Sequence, residues 1–119
     1  MTGRGDPVDR PRPWTFEFGD RQAASGRDKL VRHAPSAADD AWVAIASDPT
    51  ATSQRQHHLK GQLAHGSFQG RSLPQWQFKA TGSGRVWYLV DVENRTLVMT
   101  QAGTGHPKST DKKVRRGRH

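Results

Sequence analysis

The 119-residue chain has no cysteine, a single tyrosine and no long apolar run. Without cysteine there is no disulfide framework and no thiolate metal site, which fits a reducing compartment. No stretch approaches the roughly 20 consecutive apolar residues that a membrane-spanning helix needs. The first residues, MTGRGDPVDRPRP, lack the apolar core of a secretory signal. The expectation is a soluble, cytoplasmic protein with no membrane partner. Apolar residues are also scarce, at 32%. One modest core is affordable, but not if every residue must share it, so the chain ends are expected to lie outside the folded unit.

Acidic residues number 11 against 19 Lys and Arg, which leaves a formal charge of +8. The excess is uneven. Residues 108–119 hold six Lys or Arg and one Asp, a net of +5, so the rest of the chain carries only about +3. A tail of this kind is a solvated charged end with non-specific affinity for nucleic acid. It positions a polyanion without specifying sequence. Residues 1–13 carry three Pro and two Gly without periodicity and read as a disordered leader. Arg4-Gly5-Asp6, in a chain with no export signal, reads as coincidence.

Trp14, Phe16 and Phe18 alternate with Thr15 and Glu17, the period of a half-buried strand. Gly19-Asp20 ends it, and Asp20 can cap the helix predicted over 21–34. Gly26 costs that helix about 1 kcal/mol relative to Ala and predicts an irregular middle. Pro35 stops it. Ser36 with Asp39 three residues on resembles a capping box for a second helix, whose apolar stripe is Ala38, Ala41, Trp42 and Ile45. Asp48-Pro49 closes it, and a polar linker follows. Residues 57–66 are ambiguous, with Leu59 and Leu63 spaced for one helical turn or an irregular segment. His57-His58 point in different directions with no third ligand nearby, so the pair reads as polar surface and no metal site is expected.

Three strands then follow, over 73–81, 85–92 and 96–102. Gly82-Ser83-Gly84 and Glu93-Asn94-Arg95 are the turns between them. The middle run, VWYLVDV, is apolar on both faces and predicts a central strand. The order predicts a small α+β sandwich: β-α-α-β-β-β, an antiparallel meander, the first strand added beside the last, and both helices on one face. In such a meander Arg85 lies next to residues 101–103, with His106 and Lys108 within a side-chain length. Asp91 reads as a hydrogen-bond acceptor of the second turn, and Trp76 and Tyr88 as core.

Three pieces carry a resemblance: His58-Leu59-Lys60-Gly61 before the meander, Arg85-Val86-Trp87-Tyr88-Leu89-Val90-Asp91 within it, and Gly105-His106-Pro107-Lys108 after it. In this order and at this spacing residues 14–110 resemble the RelE/ParE superfamily of bacterial type II toxins. The resemblance implies a cytoplasmic toxin with a cognate antitoxin protein as partner, no cofactor and no metal. It implies two possible activities: metal-independent cleavage of mRNA, on the ribosome in some members, or poisoning of DNA gyrase without catalysis. For RNA cleavage it implies catalytic roles for Arg85, His106 and Lys108 and a substrate contact for Lys60; Arg71, and Trp87 by stacking on bases, are further candidates for substrate contact. The chemistry fits: a base takes the ribose 2′-OH proton, cations hold the phosphorane and an acid protonates the leaving oxygen. His titrates near neutrality, and Arg presents a planar fork to phosphate. Many RNA-cleaving members add a C-terminal Tyr or Arg. Here no tyrosine follows Tyr88, so either His106 carries the acid/base role alone or the chain is a poor nuclease. A basic nucleic-acid-binding module on the same scaffold is the third possibility.

Overall fold

The computed structural model describes residues 13–104. Arg4-Gly5-Asp6, His106, Lys108 and the basic tail lie outside them. The elements run β1 (Thr15–Phe18), α1 (Arg21–His33), α2 (Pro35–Ser47), β2 (Gln56–His58), a 3₁₀ turn (Gly61–Leu63), β3 (His65–Phe68), β4 (Arg71–Lys79), β5 (Arg85–Asp91) and β6 (Thr96–Gly103). They form an α+β fold with one six-stranded sheet ordered β1-β6-β5-β4-β2, and β3 pairs with β4 off that path. The β4-β5-β6 meander is antiparallel, and β1 returns through the helices to lie parallel beside β6.

Local chemistry explains the helix ends. The Asp20 carboxylate accepts from the Ala23 N–H at 2.9 Å, the expected cap. The capping box predicted at Ser36 does not form. Ala34 is both the last cap of α1 and the first cap of α2, and it makes no side-chain cap bond. Pro35 occupies the first turn, where its missing N–H is not needed, and Ser36 is already inside the helix. The irregular middle predicted from Gly26 is also absent, because α1 runs unbroken through it.

Both helices cover one face of the sheet. Ala23 and Leu30 of α1 and Ala38, Ala41 and Ile45 of α2 pack on Trp76, Phe78, Val86, Tyr88, Val90, Leu97 and Met99. Trp76 and Tyr88 are therefore core. The opposite face holds a smaller cluster, Leu73, Leu89 and Val98, with Phe68 of β3 against it. The central strand is thus covered on both sides at Leu89, as its apolar run required.

Residues 56–68 form the 3₁₀ turn Gly61–Leu63, the helical turn that the Leu59–Leu63 spacing allows, and two short strands on either side of it that the spacing does not show. Polar anchors hold this region. Gln56 is buried, and its amide donates to the Asp48 carbonyl at 2.8 Å and the Tyr88 hydroxyl at 2.9 Å. The Gln75 amide donates to the Leu63 carbonyl at 2.9 Å. β3 returns into β4 through Gln69-Gly70, both with positive φ, the backbone of a two-residue hairpin turn.

Candidate functional site on the open face of the sheet

The face away from the helices is closed at one end by β3 and holds a polar row at the other. The register aligns His57 of β2 with Gln77 of β4, Gln77 with Trp87 of β5, and Trp87 with Gln101 of β6. The Trp87 indole N–H donates to the Gln77 side-chain oxygen at 2.8 Å, so both side chains share this face. The next row pairs Lys79 with Arg85 and Arg85 with Gly103. A bulge enriches the row on its β6 side. Trp87 pairs with Gln101 but Tyr88 pairs with Met99, which leaves Thr100 as the extra residue. Thr100 turns its hydroxyl to this face and donates to the Gln75 side-chain oxygen at 2.7 Å.

Arg85 stands beside Gly103 as the meander demands. Its Nη1 donates to the carbonyls of Thr81, Gly82 and Gly84, each at 3.2 Å. This pins one corner of the guanidinium to its own turn. The Nε–H and Nη2 edge, the pair of parallel donors that suits a phosphate, makes no bond among the described residues. Trp87 lies on the same face one pair further in and is 4% exposed, so its ring faces are already covered. His106 and Lys108 fall outside the described residues. Lys60 is exposed and sits ahead of the 3₁₀ turn, away from the Trp87 row.

Arg71 is at the far end of β4 and is engaged there. It donates to Asp91 at 2.7 and 3.3 Å and to Glu93 at 3.2 Å. Asp91, the turn acceptor expected from sequence, also accepts from the side chain and backbone of Asn94 at 2.8 and 3.2 Å. The Asn94 amide and then the Arg71 guanidinium hold the Asp91 carboxyl below its ordinary value of 3.8. A lowered folded value means stability that is present above the ordinary value and lost as pH falls through the folded one. Asp91→Asn is therefore expected to lower stability at neutral pH and to flatten the loss of stability below about pH 4. Thermal unfolding followed across that range measures it, and an unchanged acid limb would rule this account out.

Sequence alone makes His57 half of a surface pair, yet the two imidazoles part company. His57 joins the open row. His58 turns under, stacks on Trp76 at 5.4 Å and bonds the Ala64 carbonyl through Nε2 at 2.8 Å. The signal was the period of two in a strand too short to be seen as one. The only tyrosine, Tyr88, is fully buried, and burial pushes its hydroxyl well above the ordinary phenol range. It is a neutral core group at physiological pH. Among the described residues no group of three His, Asp or Glu is placed to hold a metal, and no helix is long and apolar enough to cross a membrane.

No protein-family model and no curated protein matches the chain. Solved structures do. A chain of the RelBE2 toxin–antitoxin complex from Mycobacterium tuberculosis aligns at 19% identity and a TM-score of 0.54, over 78% of this chain and 99% of that one. A YoeB/ParE toxin from Agrobacterium tumefaciens aligns at 16% identity and 0.59, over 77% and 99%. A chain of the heterotetrameric YoeB–YefM toxin–antitoxin complex from Staphylococcus aureus aligns at 12% identity and 0.54, over 76% and 94%. At such identities the likeness is one of architecture: this chain has the fold of these toxin structures.

Proposed function

We propose that the protein is the toxin of a type II toxin–antitoxin pair, held in check by a cognate antitoxin protein, and that it inhibits translation by cutting mRNA, free or on the ribosome. The observation that carries this is the open sheet face, where Arg85 is anchored through Nη1 and its two-donor Nε and Nη2 edge makes no bond among the described residues, next to a row that contains His57. The toxin role is supported by the shared fold, which spans nearly the full length of the matching chains. The chemistry uses the 2′-OH as nucleophile. Arg85, with Lys108, holds charge on the phosphorane, and His57 and His106 are the imidazoles available to move protons.

The test is induced expression in bacteria with RNA cleavage scored on the purified protein. Arg85→Ala with His106→Ala is expected to relieve growth arrest and lower cleavage by about 10²–10⁴, with thermal stability kept. A 2′-deoxy substrate should resist cutting. Full toxicity in the double variant would sink the proposal. One observation favours a second reading, a non-enzymatic toxin directed at DNA gyrase: the only tyrosine is locked in the core and cannot act as a general acid. That reading predicts DNA damage without RNA products.

A further inference from the structure

Beside the β4–β5 turn lies an open cleft of about 390 Å³, lined by Gln54, Arg55, Lys79, Thr81 and Gly82. We propose that it is a phosphate subsite, which takes a backbone phosphate of the RNA next to the one held by Arg85. This rests on the RNA-cutting reading above. The lining contains two cations and no carboxylate, and the ion pairs found among the described residues involve only Arg71. The cleft is therefore an uncompensated positive site.

Two of its donors, Arg55 and Thr81, are held in place. Arg55 uses Nε and Nη2 on the carbonyls of Lys79 and Ala80, at 3.0 and 2.9 Å, and lies over the Phe78 ring at 5.1 Å. That grip leaves Nη1 without a bond among the described residues. The Thr81 hydroxyl oxygen accepts from the Gly84 N–H at 2.7 Å, so its own proton is free to be donated. Lys79 and Gln54 are exposed. No neighbouring atom lies within 4 Å of where a Cβ on Gly82 would stand, so the space beside this lining residue is open.

Placement selects the ligand. Lys79 is the cross-strand partner of Arg85, roughly 5 Å away between Cα atoms. An anion chain that crosses Arg85 meets this cleft next. One anchored and one exposed cation, with hydroxyl and amide donors beside them, suit a phosphodiester backbone. They carry no base readout, so the subsite positions RNA without choosing sequence.

The test uses the full-length chain, which carries its basic tail in every variant, so the tail's contribution cancels. Arg55 also ties β2 to β4, so Lys79 is the residue to change. Binding of an uncleavable 2′-deoxy oligonucleotide is measured against salt. Lys79→Gln is expected to reduce the salt slope by about 0.7 and to weaken binding about fivefold at 0.1 M salt, equally for unrelated sequences. Lys79→Arg should restore both. Pyrophosphate should shift the backbone amides of Gln54, Thr81 and Gly82 in NMR spectra. An unchanged slope in Lys79→Gln overturns the subsite whether or not RNA is cut. It does so also if pyrophosphate shifts those amides, because the cleft then serves another anion, such as an acidic antitoxin segment. A reduced slope in a protein that cuts no RNA leaves the subsite standing and removes the nuclease reading instead.

Discussion

Gly26→Ala is expected to destabilise the protein by about 2 kcal/mol or more, against a local propensity gain of about 1 kcal/mol for the same change. The reason is the approach of α1 to β6. A Cβ on Gly26 would stand 1.8 Å from the Ala102 carbonyl oxygen and 2.8 Å from its carbon. Those are backbone atoms of a paired strand, so no side chain can swing away to make room. The helix would have to lift, and with it Ala23 and Leu30, which flank Gly26 on the buried side. At this domain size 2 kcal/mol corresponds to roughly 8–16 °C in melting temperature. Gly82→Ala is the control. It sits in open space with no positive φ, and is expected to change stability by less than about 0.5 kcal/mol. A Gly26→Ala protein that melts higher than the parent would show that helix propensity, not the approach to β6, governs the position.

The same glycine shows where sequence stops speaking. Propensity counts what a residue does to its own helix, and nothing in the spacing says that a strand backbone passes within contact of position 26. The parts that rest on period and turn chemistry were legible. VWYLVDV announced a strand covered on both faces, Asp20 announced a cap, and two Gly- or Asn-bearing turns announced the meander. Register followed from those turns, so the pairing of Arg85 with Gly103 could be expected. What Arg85 does there could not. Its three carbonyl partners are turn atoms, whose direction depends on how the 80–84 loop closes. The bulge at Thr100 is one extra residue in an apolar strand and leaves no pattern of its own. Residues 56–68 were hidden for another reason. Gln56, Gln75 and the carbonyls they reach hold that region, and polar anchoring has no hydrophobic period to detect. His57 was lost with it, and so the one described imidazole of the open row was the residue that sequence reading discounted.

Tyr88→Ala is expected to cost about 3–5 kcal/mol, a large part of the 5–15 kcal/mol that a domain of this kind possesses. The side chain is fully buried on the central strand among the residues that meet both helices. Its hydroxyl also ties the loop after α2 to the sheet. It donates to the Pro49 carbonyl at 2.7 Å and accepts from the Gln56 amide at 2.9 Å. Tyr88→Phe isolates the second contribution. It keeps the ring and leaves the Pro49 carbonyl and one Gln56 donor without a partner, a loss of about 1–3 kcal/mol. The pH dependence separates the two roles further. Burial raises the folded value of the hydroxyl above the ordinary 10.0, so its stabilisation is complete below 10.0 and is lost as pH rises past it. Tyr88→Phe should be less stable at neutral pH and should lack that part of the alkaline decline. Chemical denaturation at neutral and alkaline pH measures both. Activity gives the decisive contrast. Under the proposed RNA-cutting function, a core tyrosine predicts that Tyr88→Phe retains cleavage per folded molecule. A variant with wild-type stability and no cleavage would instead place the hydroxyl on the substrate and overturn its assignment to the core.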